Sequence, residues 1–253
     1  MDSKTILDQL VQMSLNLGKP KNEYVILGEG NTSARVDEDT FYVKQSGSYL
    51  ANANRDSFVR VRFASALAIL EESNLTDDDI KSKLMAARTD SMSPSRPSIE
   101  TVFHAFLLTL PGVNVVGHTH PTAVNSVLCS KNAKEVFGGR IFPDEIVYCG
   151  VRPVFLEYID PGVPLARAIR EAAAAYLEEE GAPPKVIVMQ NHGLIALGAN
   201  AHEVEAITAM WVKTCKVLAG TYIFGGPRRF TKENVERLCT RPDEAYRRRQ
   251  FGE

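Results

Sequence analysis

Cysteine is scarce in this chain. Four residues in 253 (Cys129, Cys149, Cys215 and Cys239) lie far apart with no Cys-x-x-Cys pair, which argues against a dense disulfide framework. Reduced thiols in a cytoplasmic protein are the simplest reading. An excess of either charge is also missing: 29 Lys and Arg face 31 Asp and Glu, a net −2. A dedicated nucleic-acid binder would show a basic surplus, so nucleic acid is not an expected partner. The one basic run, Arg247 to Arg249, reads as a solvated tail. No apolar run approaches the roughly 18 residues of a membrane helix. Residues 1–20 carry Asp2 and polar interruptions where a signal peptide would be apolar, so no membrane partner is expected. Internal repeats and low-complexity tracts are absent too. What remains is ordinary globular composition, 44% hydrophobic and 24% charged, in a chain long enough to bury its core without staples.

Along the chain, Ile6, Leu7, Leu10, Val11, Met13 and Leu17 recur at helical spacing over 5–17, and Gly18 to Pro20 ends that helix. Short extended segments follow at 24–27, 33–36, 41–45 and 58–63, punctuated by glycine and aspartate as antiparallel hairpins would be. Helices are expected at 64–72 and 76–88, the second with Thr76 and Asp79 as a capping pair. Residues 89–97 form a loop but not a domain linker, because a helix (98–110) starts at once. The pattern then runs strand 113–117, helix 122–130, strands 146–149 and 154–157, helix 165–179, strands 185–190 and 194–197, and a long helix over 201–222. Thr231 begins a shorter helix. The expectation is an α/β fold: one mixed-sheet domain over 1–253, layered α/β/α with helices on both faces.

Three of the five histidines sit where strands end. His118 and His120 form His-Thr-His after the apolar strand 113–117. Residues two apart on a strand point to one side, whereas on a helix they would diverge by about 200°. His192, in Gln-Asn-His-Gly, follows a second apolar strand. Three neutral imidazoles around an open position are the arrangement of catalytic zinc. A His-x-His alone also fits surface or satisfied histidines; the third strand-end histidine tips the balance to metal. His104 and His202 are read as structural or surface residues.

Two other clusters stand out. Gly28 to Ser33 and Lys44 to Ser48 concentrate glycine, asparagine and serine in turns after strands, and such concave donor sets hold anions. They also fit tight hairpin turns, and neither matches a P-loop or a GxGxxG fingerprint. Arg96-Pro97-Ser98-Ile99-Glu100 looks like a helix start, where an acid is common through the helix dipole.

Taken in order, Gly-Asn-Thr-Ser, Ser-Gly, Pro-Ser-Ile-Glu, His-Thr-His-Pro and Asn-His-Gly resemble the signature of the class II aldolase/adducin family. The motifs fall between residues 28 and 193, and the likeness runs from about residue 5 to 225. The family includes fuculose- and rhamnulose-1-phosphate aldolases, ribulose-5-phosphate 4-epimerases, methylthioribulose-phosphate dehydratases and the non-enzymatic adducin head. The wording of the motifs looks most like the rhamnulose-phosphate branch. The resemblance implies zinc held by His118, His120 and His192, Glu100 as acid/base, and a substrate phosphate held by Asn31, Ser46, Gly47 and Ser98. It further implies reversible cleavage of a ketose 1-phosphate to dihydroxyacetone phosphate and an aldehyde, Lewis-acid chemistry without a Schiff-base lysine, and a homotetramer. Ile99 departs from the fuculose-phosphate pattern, which has a second serine there. Tyr148 and Tyr222 are candidates for the acid that protonates the aldehyde oxygen. An epimerase or dehydratase on the same triad, or an adducin-like scaffold, are the alternatives.

Overall fold

The computed structural model describes residues 2–241, so the Arg247–Arg249 run lies outside the described residues. Seven strands form one mixed sheet: β1 (Asn31–Arg35), β2 (Thr40–Lys44), β3 (Phe58–Arg62), β4 (Val115–Thr119), β5 (Val154–Leu156), β6 (Val186–Met189) and β7 (Gly193–Gly198). Their order across the sheet is β3-β2-β1-β4-β7-β6-β5. Every neighbouring pair is antiparallel except β5 with β6, which is parallel.

Among the described residues, ten α-helices accompany the sheet: α1 (Ser3–Leu17), α2 (Phe63–Glu71), α3 (Asp77–Ala86), α4 (Thr101–Leu107), α5 (Thr122–Leu128), α6 (Ala133–Val136), α7 (Pro143–Cys149), α8 (Val163–Glu180), α9 (Ala201–Thr221) and α10 (Lys232–Thr240). Strand alternation divides the core in two. Val116, Ile187, Ile195 and Leu197 face α2, α3, α4 and α8. Val115, Val186, Val188 and Ala196 face α1, α5, α7 and α9. The expected three-layer α/β/α arrangement is therefore what the chain adopts. Local signals place the helix ends. Asp2 caps α1 by accepting from the N–H groups of Lys4 and Thr5 (2.9 and 3.0 Å), and Thr76 and Asp79 form the expected capping box on α3.

Two expected strands are absent. Residues 24–27 form a loop, because Glu23 just before them and Leu27 at their end take left-handed backbone angles (φ 53° and 52°). Main-chain bonds still tie this loop to the site: the N–H of His120 donates to Tyr24 O at 2.9 Å. Residues 146–149 are the end of helix α7. Pro143 at its start, Asp144 and Glu145 in its first turn and Gly150 after it are helix signals that outweigh the strand propensity of Ile146, Val147 and Tyr148. The loop 89–97 is tied back to its own neighbourhood, as expected of a loop rather than a linker. Buried Arg88 donates to the carbonyls of Ser91 and Ser95 (3.3 and 3.2 Å) and to that of Ser93.

A second buried arginine pins the turn around α7. Arg140, 2% exposed, pairs with Glu145 (2.8 Å) and donates to the carbonyls of Cys149, Gly150 and Val151. Removing one member of such a pair leaves an uncompensated buried charge. We expect Arg140→Met to lower the unfolding free energy by about 3–5 kcal/mol in chemical denaturation. Adding Glu145→Gln should recover part of that loss, since the stranded charge goes while the three carbonyls stay unpaired.

Candidate functional site

Antiparallel pairing brings the start of β1, the ends of β2 and β4 and the start of β7 to one end of the sheet. Asn31, first in β1, lies opposite His118 in the β1–β4 ladder. His118 is fully buried, and its Nδ1–H donates to Leu194 O of β7 (3.0 Å), which leaves its Nε2 bare and aimed into the site. His120 follows the strand, with its Nε2 3.0 Å from that of His118. His192 sits in the tight turn between β6 and β7, where Asn191 is left-handed (φ 56°) and Asn125 Nδ2 donates to His192 O (3.1 Å).

Two motif glycines owe their identity to close approach. A Cβ on Gly193 would lie 2.6 Å from Thr119 O and 2.7 Å from the His120 ring, and one on Gly30 would lie 2.5 Å from His118 O. Any larger residue at either position would push the histidines apart.

One nitrogen from each of His118, His120 and His192 lies within 4.8 Å of the others. Bare nitrogens this close repel unless a proton or cation sits among them. Burial, helped by the neighbouring imidazoles, drives His120 down to about 3, so it need not shed a proton to bind a metal at neutral pH, and burial also lowers His118. His192 Nδ1 is buried without a hydrogen-bond partner. The donor set fits a divalent ion.

Glu100 stands at the N-terminal end of α4, its carboxylate oxygens 3.6 Å from His118 Nε2 and 3.5 Å from His192 Nε2. Burial acts to raise this carboxyl, but His118, His192 and the Asn31 amide outweigh it and hold it well below the usual carboxylate range. The site thus contains an ionised base. Asn31 Nδ2 donates to Glu100 Oε2 at 2.5 Å, so Asn31, Glu100 and the three histidines form one cluster.

Ser46, Gly47 and Ser98 lie on adjoining segments. Gln45 bridges Pro97, and Ser46 N–H donates to Arg96 O (2.8 Å), which seats the turn after β2 against the entry to α4. Ser98 Oγ accepts from Glu100 N–H at 3.3 Å. Ile99 turns away to pack against the core beside Gly162, so it brings no donor. Tyr148 packs on the α7–α9 face of the core, and Tyr222 is 52% exposed beyond α9. His202 is exposed on the first turn of α9.

Two residues to which the sequence assigned no role at the site lie beside it. Lys44, 2% exposed, points its ammonium at the carbonyls of Gln45 and Ser48, and burial draws it down to about 8 against the opposing pull of Glu100. Its signal was a lysine closing an otherwise apolar strand. His104 is fully buried, bonded to Ser33 Oγ (2.7 Å) and to Asn31 Oδ1. Its spacing of four from Glu100 was the available clue.

The chain belongs to the class II aldolase/adducin family: the Class II Aldolase and Adducin N-terminal domain matches residues 8–219. Class II aldolases characteristically depend on a divalent metal, and the histidine triad is present here. The chain is 32% identical over 179 residues to the uncharacterized oxidoreductase YuxG of Bacillus subtilis (strain 168), covering 68% of this chain and 23% of that protein. It therefore spans less than a quarter of that relative. Among solved structures, the N-terminal class II aldolase domain of a conserved Thermoplasma acidophilum protein superposes with a TM-score of 0.67 at 26% identity, covering 84% of this chain and 93% of that one. An L-fuculose 1-phosphate aldolase gives a TM-score of 0.70 at 16% identity, covering 94% and 96%.

The buried imidazole of His104 yields a pH prediction. Burial, reinforced by His118, drives it from 6.5 down to about 3, so between those values the unfolded chain binds the extra proton. Stability from this group is complete above pH 6.5 and is lost as the pH falls toward 3, by up to about 1.4 kcal/mol per pH unit. In urea melts from pH 7 to 4, His104→Gln should lose stability less steeply than the unsubstituted chain.

Proposed function

We propose that this chain is a zinc-dependent aldehyde-lyase of the cytoplasm that reversibly cleaves a ketose 1-phosphate to dihydroxyacetone phosphate and an aldehyde such as lactaldehyde. The observation that carries this reading is the convergence of three imidazoles beside one ionised carboxylate at the end of the sheet. The likeness to L-fuculose 1-phosphate aldolase supports the sugar-phosphate class. A zinc ion held by His118, His120 and His192 would supply Lewis acidity toward a carbonyl and hydroxyl of the substrate.

The remaining work falls to the chain's own side chains. Glu100 is the acid/base: its carboxylate takes the proton on the donor carbon during condensation and returns it during cleavage. Its confinement between two imidazoles and an amide gives it little freedom, which suits a proton transfer at a fixed carbon. Asn31, Ser46, Gly47 and Ser98 hold the phosphate, with no hydroxyl from Ile99. Lys44 is the buried cation that counters the charge gathered there, and its ammonium also ties the Ser46–Gly47 turn through Ser48 O.

Purified protein should carry about one zinc per chain, removable by chelation. Glu100→Gln should keep that zinc while turnover and exchange of the donor carbon proton with deuterated water both fall about 10²–10⁴-fold. The substrate panel should be phosphorylated and free ketoses, scored for aldehyde release against stereochemical inversion. Inversion without release would replace the lyase with an epimerase. A Glu100→Gln variant that exchanges at the full rate would move the base elsewhere.

We also propose a homotetramer. Supporting it is an apolar run left outside the core beyond α9: Tyr222, Ile223 and Phe224 are 52%, 81% and 87% exposed. Light scattering at micromolar concentration should give about four times 27.9 kDa, and a monomeric mass would sink the assembly.

A further inference from the structure

Two periodicities meet beside the site. Asn31 and Ser33, two apart on β1, share a face, as do Glu100 and His104, about one helical turn apart at the start of α4. The His104 ring closes the space between the two elements. Ser33 Oγ is 2.7 Å from its Nδ1, Asn31 Oδ1 bonds its Nε2, and Asn31 Nδ2 reaches Glu100 Oε2 at 2.5 Å.

The polarity of this chain of bonds follows from the Asn31 amide, whose Nδ2 donates to Glu100 Oε2 and whose Oδ1 lies against His104 Nε2. The amide oxygen then faces His104, which must carry its proton on Nε2. Its Nδ1 is left bare and accepts the Ser33 hydroxyl proton. The other tautomer would turn the Asn31 amide over and set its oxygen against the Glu100 carboxylate. The ring has no exposure to water and lies stacked on Phe103, with centroids 4.6 Å apart.

We infer that His104 is a positioning residue for Glu100: its Nε2–H tautomer locks the Asn31 amide, and the amide holds the carboxylate between His118 and His192. His104 itself acts only through Asn31. The inference rests on the proposed role of Glu100 in proton transfer, yet the relay can be observed without any turnover.

Long-range proton–nitrogen NMR of the imidazoles in the zinc-loaded protein should show one Nε2–H ring whose signal disappears in His104→Gln. An Nδ1–H or averaged ring at that position overturns the relay. Kinetically, His104→Leu should slow exchange of the donor carbon proton about 10²-fold at saturating ketose phosphate, with zinc content unchanged. His104→Gln, whose amide N–H can reach Asn31 Oδ1, should restore most of the rate. A merely space-filling histidine would be replaced better by leucine than by glutamine, so wild-type exchange in His104→Leu, or equal loss in both variants, overturns the inference. Should His104→Leu fail to fold, Asn31→Asp serves instead. It keeps an acceptor for His104 but turns an oxygen toward Glu100, so exchange should fall while the Nε2–H signal persists; undiminished exchange overturns the inference. If the unsubstituted chain exchanges no ketose phosphate at all, the proposed function falls, and the tautomer still decides the relay.

Discussion

The β1–β4 register is the constraint on which the rest of this molecule depends. Asn31 lies opposite His118 in the middle of the sheet, with Ser33 opposite Val116 on the same face. A slip of one residue would exchange every inward and outward side chain on β1. It would turn Asn31 and Ser33 away from α4 and put Thr32, which bonds Ser14 on the α1 side at 2.7 Å, in their place. The same sheet supplies the next tie, because the β7 carbonyl of Leu194 fixes the tautomer of His118. One ladder therefore sets both the place of a candidate ligand and the atom it presents.

Close approach of backbones is the price of gathering so many polar groups at a sheet end. Gly30 passes against His118 O, and Gly193 against Thr119 O and the His120 ring. These glycines belong to the motifs that mark the family, and their physical role is to let three strand ends crowd together. The motif asparagine is likewise tied to packing, since Asn31 bridges His104 within α4 and the Glu100 carboxylate at its start. Motif residues in this chain thus divide between those that offer chemistry and those that make room for it.

Electrostatics divide the buried charge into two kinds of place. Arg140 and Glu145 form a closed pair with every strong donor directed at a carbonyl or carboxylate, which gives rigidity and nothing to bind. At the sheet end the balance is left open. Glu100 is held well below the usual carboxylate range, Lys44 is drawn down to about 8, burial lowers His118 and His120, and His192 Nδ1 has no hydrogen-bond partner. Such an uncompensated arrangement is costly for a folded chain and useful for one that binds a cation and an anionic substrate.

The amino-acid sequence by itself determined the layered α/β class, most of the strands and helices, and the histidine triad, because hydrophobic period, caps and strand-end histidines are local properties. It misassigned 24–27, where two left-handed residues break the extension, and 146–149, where Pro143, two acids and Gly150 outweighed β-branched residues. Glu100 stood out through the order of motifs rather than its surroundings. Only the tertiary structure decided that Asn31 faces Glu100, that Ile99 packs against the core beside Gly162, and that His104 and Lys44 belong to the site's surroundings. These facts depend on which strands pair and in what register. Hydrogen bonds between residues some 70 positions apart, such as Asn31 with Glu100 and Ser33 with His104, leave no periodic trace in the chain that makes them.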